Sequence, residues 1–355
     1  MPGLRDFISV LDRRGKLRRI HGEVDWKYEI GSIARESDSP LLFEHIKDYP
    51  GKRLFTNGLS DCGAIALALD FKKEDVGVDD LARSIERCLE SPISPVLKDA
   101  TIDLGDCATN DIDLGILPVP HWSNKDAGRY IGTWHLNISR DPETGDRNVG
   151  VYRMQIVGPS QTTVSVSPRS HLARQISIAE KRNTALPMAV AIGVDERLVI
   201  CAAASPPYGI DELALAGGLI GKPVELVRCK TQPLEVPSDT EVVLEGFIRP
   251  GERTQDGPFL DYAGVPNTNF KAHLFELTGL LFRNDLIFRG TAVGRPGAED
   301  HQIYSVLSRI RLADFHGSRI RHTIQTFLLR YRAFRLFQFA GRIGGFIRNK
   351  NGKAP

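Results

Sequence analysis

The sequence predicts an α+β chain with a β-rich middle, and three observations carry that reading. Apolar residues recur at helical spacing near the N-terminus, short alternating or β-branched runs crowd the stretch from about 130 to 300, and a basic helical pattern closes the chain. The expected divisions are an N-terminal α/β region over 1–105, a β-rich domain over 106–305 and a basic helical tail over 306–355.

Leu4, Phe7, Ile8 and Leu11 define a first amphipathic helix that ends near Gly15. Residues 17–24 read as a strand, and 29–37 and 79–89 as helices. Pro92, Pro95, Pro118 and Pro120 then punctuate the passage to the middle region. There the strand-like runs are 149–157, 162–166, 188–194, 198–203, 224–227, 242–248, 275–282 and 286–290. Many short strands at this spacing predict a barrel or a sandwich-like sheet. Helical patterns near 170–180 and 211–219 interrupt it, and Ile320, Ile324, Phe327, Leu328 and Tyr331 give the tail its helical period.

Among the 355 residues, 41% are hydrophobic and 25% charged, ordinary values for a chain with a sizeable core. A net charge of +2 argues for no particular partner, and nucleic acid is not expected. Five scattered cysteines without a C-x-x-C pair read as reduced thiols, so a cytoplasmic location is expected. No run of eighteen apolar residues occurs, so no membrane span is expected. Charge is uneven: from Arg309 onward eleven Lys/Arg face one acid, Asp314, while the preceding part holds 35 basic and 43 acidic residues, net −8. The tail therefore reads first as a helix packing on a neighbouring subunit or on the acidic body. A membrane or nucleic-acid role is the weaker alternative.

Three groups of residues could carry chemistry. In G-D-R-N-V-G-V-Y-R-M-Q, Arg153 could clamp a carboxylate through two parallel hydrogen bonds. Taken alone, it reads better as a strand-edge arginine on a solvated face. Asn148 and Arg153 are five apart, so a regular strand would send them to opposite faces. One site for both requires a bulge near Gly150 or a site that wraps the strand. In D-G-P-F-L-D, Asp256 and Asp261 are expected on a turn built by Gly257 and Pro258, where two nearby acids would raise each other's proton affinity. The competing reading is a loop acid and a cap. Asn148, His171 and Glu212 have donor types suited to a divalent ion, although singly His171 reads as a core histidine and Glu212 as a surface acid.

Taken together and in order, these segments resemble the UbiD family of decarboxylases. The likeness runs through P-V-P-H-W-S-N-K-D-A-G-R-Y-I, N-V-G-V-Y-R-M-Q, S-H-L-A-R-Q, P-Y-G-I-D-E-L-A-L-A-G, P-V-E-L-V-R-C-K-T and D-G-P-F-L-D-Y-A-G to about His301. The resemblance implies a split β-barrel for the middle domain, akin to flavin-reductase barrels. It implies a prenylated FMN cofactor whose phosphate is held through Mn²⁺ and K⁺. Asn148, His171 and Glu212 would be the divalent-ion ligands, and Glu212 with the carbonyls near Ala202–Ser205 would hold K⁺. Asn148, Val151, Arg153, Ser170, His171 and Glu212 would line the cofactor. Arg153, Asp256 and Asp261 would be catalytic: Arg153 orienting the substrate carboxylate, Asp261 supplying the proton that replaces CO₂, and Asp256 holding Arg153. The implied reaction is non-oxidative decarboxylation, or its reverse, of an aromatic or α,β-unsaturated acid through a covalent adduct with the flavin, which acts as electron sink. A flavin prenyltransferase would supply the cofactor, and a homo-oligomer is expected.

Three departures stand out. Asp256 takes a place where the family often has Glu, Leu260 one where Gly is frequent, and no position here matches the lysine that the family's larger C-terminal domain gives to the flavin phosphate. Two other readings follow: a UbiD-like subunit or inactive relative that needs a partner to complete its site, and a flavin-binding oxidoreductase on a similar barrel.

Overall fold

The computed structural model describes residues 3–71, 75–295 and 297–310. The expected tail helix beyond Ile310 lies outside the described residues. The first helix forms as its spacing requires: Gly3–Arg13 buries Leu4, Phe7, Ile8 and Leu11. A four-stranded sheet follows, in the order Arg18–Val24, Leu41–Ile46, Arg53–Thr56, Ile287–Arg289. Its last strand, read from sequence as part of the β-rich middle run, pairs in parallel with Arg53–Phe55. Arg289 fixes it there. Its guanidinium is 1% exposed and bonds Glu196 at 2.7 Å and Glu299 at 2.7 Å, so two buried acids share one buried cation.

The nine-stranded sheet decides the architecture. Its strand path runs Tyr130–Gly132, Met154–Gly158, Gln161–Val164, Pro266–Arg283, Val242–Leu260, Leu186–Ile192, Leu136–Arg140, Arg147–Gly150, with Gly105–Ala108 added beside Pro266–Arg283. Strands Met154–Gly158 and Arg147–Gly150 are six interstrand steps apart on this path, which in a flat sheet would separate them by about 29 Å. Only Val151, Tyr152 and Arg153 connect them, and four Cα–Cα steps span at most about 15 Å. The sheet must therefore curl, and it does so into a half-barrel whose seam is bridged by Val151–Arg153. The expected single strand over 149–157 is thus two strands on opposite sides of a seam, which resolves how Asn148 and Arg153 can serve one region.

Two segments depart from their expected local structure. Residues 198–203, read as a strand from their β-branched content, form the helix Glu196–Ala203, capped by the Asp195 side chain and buried on nearly every side. A helix buried on nearly every side, its two charged residues Glu196 and Arg197 included, lacks the solvated polar face that would mark it. Asp256 and Asp261 do not share a turn, because the strand Val242–Leu260 runs on through Gly257-Pro258, with Phe259 still paired to Asn267. Asp256 is consequently an inward residue of the strand, and Asp261 follows its end.

Helices expected near 170–180 and 211–219 are present as His171–Lys181 and Glu212–Ile220. Both begin with side-chain caps, Ser170 on Ala173 N and Asp211 on Leu213 N.

Candidate functional site

The seam segment works because Gly150 lacks a side chain. A Cβ there would lie 2.6 Å from the Tyr152 ring, so only glycine lets Tyr152 fold back across the strand end. The Tyr152 amide, released from the ladder, donates to the Asn137 carboxamide oxygen at 3.1 Å. Asn137 is 1% exposed, and its own Nδ2 rests 3.2 Å from the Met154 sulfur. The backbone break is thus built from partners, not left unsatisfied.

On one side of the seam lie the three expected ion ligands. Glu212, first residue of its helix, is 2% exposed. One of its oxygens accepts the Val149 amide at 2.9 Å. The other faces His171 Nδ1 at 3.8 Å, too far for a hydrogen bond. That gap leaves room for two donors to share one ion, at metal–ligand bonds of roughly 2.0–2.2 Å. Asn148, buried beside them, directs its Nδ2 toward Ser139 Oγ at 3.5 Å, and Ser139 donates to Gln175 at 2.6 Å. Burial pushes the Glu212 carboxyl up, as expected of an acid desolvated without a full counter-charge. The oxygen and nitrogen donors therefore fit a divalent cation of the Mn²⁺ class. Ser170 caps the helix that starts at His171, and the phenol of Tyr152 accepts the Leu172 amide at 3.4 Å. The Tyr208 ring stands edge-on to His171 at 5.1 Å. The helix Glu196–Ala203 turns its C-terminal end into the Ala202–Ser205 segment, where the last-turn carbonyls and the negative end of the dipole favour a cation.

On the other side lies the arginine. Nε and Nη2 of Arg153 approach one oxygen of Asp256 at 2.7 and 2.6 Å, and Asp256 is wholly buried. Thr163 donates to the second oxygen at 2.5 Å. Burial pushes the Asp256 carboxyl up, against the opposing pull of Arg153, Thr163 and Tyr130. The guanidinium lies over the Phe259 ring at 5.3 Å, and that ring packs on Tyr130 at 4.1 Å. Asp261 makes no direct contact with this pair. Asn267 joins them: its carbonyl lies 3.4 Å from Arg153 Nη2, and its Nδ2 donates to Asp261 at 3.2 Å. The other Asp261 oxygen accepts the Ala263 amide at 2.9 Å. Val151 sits half-buried within the seam, between the two groups.

The structure therefore brings Asn148, Ser170, His171 and Glu212 together, pairs Arg153 with Asp256, and sets Asp261 one side chain away. Sequence reasoning missed Thr163, Tyr130, Asn137 and Asn267. The polar residues Asn137 and Thr163, within otherwise apolar strands, were the available signal. Among the described residues no helix is long and apolar enough to cross a membrane.

Known proteins share this family and fold. Residues 98–296 match the family described as 3-octaprenyl-4-hydroxybenzoate carboxy-lyase Rift-related domain, and residues 8–85 match the corresponding N-terminal domain. An uncharacterized protein of Synechocystis sp. is 33% identical over 338 residues, which cover 86% of this chain and 66% of the relative. The chain thus spans slightly less than two thirds of that curated relative's length. An evolved dimeric form of the UbiD-class enzyme HmfF from Pelotomaculum thermopropionicum, solved in complex with prenylated FMN, superposes with a TM-score of 0.80 at 30% identity, covering 88% of this chain and 71% of that one. Vanillic acid decarboxylase of Sedimentibacter hydroxybenzoicus in closed form gives 0.81 at 27% identity, covering 86% and 67%.

Proposed function

The chain belongs to the UbiD family, and from that premise we propose that it is a prenylated-FMN-dependent decarboxylase of an aromatic or α,β-unsaturated carboxylic acid. The observation that carries the proposal is the Arg153–Asp256 pair at 2.6 Å, its carboxylate wholly buried, with Arg153 closing the three-residue seam that starts beside the Asn148, His171 and Glu212 cluster. A simple hydride-transfer flavoprotein has no use for such a pair. The similar HmfF enzyme, solved with prenylated FMN bound, supports the reading.

In this reading Asn148, His171 and Glu212 hold Mn²⁺, and Glu212 with the Ala202–Ser205 carbonyls holds K⁺, for the cofactor phosphate. When bound, the prenylated flavin supplies the electron sink for the carbon that loses CO₂. The chain's residues do the remaining work. Arg153 spends Nε and Nη2 on Asp256, and among the described residues its Nη1 has no partner. That edge orients the substrate carboxylate. Phe259 and Leu260, both buried, keep water from the departing CO₂. Asp261 has one hydrogen bond on each oxygen and is half-exposed, so it can take a proton from solvent and deliver it to carbon. A flavin prenyltransferase would supply the cofactor, and the enzyme would work as a homo-oligomer in the cytoplasm.

Co-expression with a flavin prenyltransferase tests this. The purified chain should show the absorbance of the modified flavin and release CO₂ from cinnamate-like or hydroxybenzoate-like acids. Modified flavin without turnover would favour a subunit that needs a partner. Ordinary FMN with reductase activity would overturn the decarboxylase.

A further inference from the structure

Asp256 has donors on both oxygens, and the direction of one of those bonds is dictated from outside the pair. Thr163 is wholly buried. Its Oγ1 accepts the Gln155 amide at 3.0 Å, and a backbone amide can only donate. The one remaining polar partner of that hydroxyl among the described residues is Asp256 Oδ2 at 2.5 Å, so the hydroxyl proton points at the carboxylate. Oδ1 already faces two guanidinium N–H groups. A proton added to either oxygen of Asp256 would meet a donor's hydrogen.

We propose that Thr163 is a positioning residue that locks Asp256 as an anion and so leaves proton delivery to Asp261. Only the catalytic consequence rests on the decarboxylase reading; the locking is a property of the chain itself. The charged and titratable groups that face Asp256 are Arg153 and Tyr130, with Asp126 beyond Tyr130 and Asp261 beyond Asn267. Gln155 completes the lock. Its side-chain oxygen accepts both the Tyr130 hydroxyl at 3.2 Å and the Gly257 amide at 2.9 Å, which ties the strand that follows Arg153 to the one carrying Asp256. Because burial already pushes Asp256 up, losing one donor would be felt directly.

The test is an infrared pH titration of the purified full-length chain without added cofactor. The carbonyl stretch of the protonated Asp256 carboxyl is assigned by its loss in Asp256→Asn. Thr163→Val, which keeps the shape and removes the hydroxyl, should move that band's midpoint up by about 1–2 pH units, while Thr163→Ser should follow the wild type. In the loaded enzyme the acid limb of the kcat profile should move by the same amount. An unchanged midpoint in Thr163→Val, or a Thr163→Ser midpoint shifted like that of Thr163→Val, would overturn the lock. Where Thr163→Val does not fold, Thr163→Cys, a weaker donor, replaces it with the same expectation. An infrared shift in a protein that decarboxylates nothing would retain the lock and reject the enzymatic reading.

Discussion

Arg153 and Asp256, 103 residues apart in sequence, meet with Nε and Nη2 of the guanidinium 2.7 and 2.6 Å from a single carboxylate oxygen. Asp256 is 0% exposed, whereas the Arg153 side chain keeps 16% of its surface. The cation thus faces the seam of the half-barrel while its partner is walled in.

Removing Arg153 alone should be costly to the fold as well as to activity. Arg153→Ala leaves a buried carboxylate unpaired, a loss of about 3–5 kcal/mol. The double variant Arg153→Ala/Asp256→Ala should recover part of that loss. Denaturant unfolding of the four proteins in the cycle checks this, and decarboxylation should be undetectable in both variants that lack the guanidinium.

Asp261→Asn should separate chemistry from assembly. The amide oxygen can still accept the Ala263 amide, and its NH2 can donate to Asn267 once that carboxamide turns over, but it cannot deliver a proton, so kcat should fall by about 10²–10⁴ with flavin content unchanged. Full activity in this variant would remove Asp261 from the proton path.

On the proposed ligand set, Glu212→Gln should reduce Mn²⁺ affinity by at least about 10-fold, because the set would lose its only carboxylate and the loss of an outer-shell partner alone reaches that size. Metal analysis after dialysis reads this directly, and undiminished Mn²⁺ would contradict the ligand assignment.

Gly150→Ala tests the seam. The added Cβ would sit 2.6 Å from the Tyr152 ring, so the ring must swing away from Leu172 and the helix that starts at His171. The expected result is weakened flavin retention together with a kcat reduced by at least about 10-fold, since small misplacements of positioning groups carry large rate costs.

Stability should also depend on pH through Asp300. Burial, then the neighbouring Glu299, pushes its carboxyl from 3.8 up to about 7. The folded protein keeps this proton to about pH 7 while the unfolded chain releases it near 3.8, so this group's contribution to stability falls as pH rises across that window. Asp300→Asn should raise Tm by on the order of 5 °C at pH 8 and leave it unchanged near pH 3.5. An equal effect at both values would show that the change acts by packing.

Sequence determined most of the local structure. Leu4, Phe7, Ile8 and Leu11 announced the first helix because a helix buries every third or fourth residue, and Ser170 and Asp211 mark helix starts where the structure has them. The residues of the site could also be named, because motifs in order are a property of the chain. Their arrangement could not. Whether Val151–Arg153 continue a strand or bridge a seam depends on the curl of a sheet whose neighbours come from residues 105 to 283, and no local period records that. The helix Glu196–Ala203 hid for a related reason: buried all round, it shows no polar face. Thr163 and Asn267 stayed invisible because hydrogen bonds between distant strands are chosen by register, which local propensity does not encode. Tertiary structure alone decided that Asp256 is buried and Asp261 is not, since strand pairing past Gly257-Pro258 turned one inward and ended just before the other.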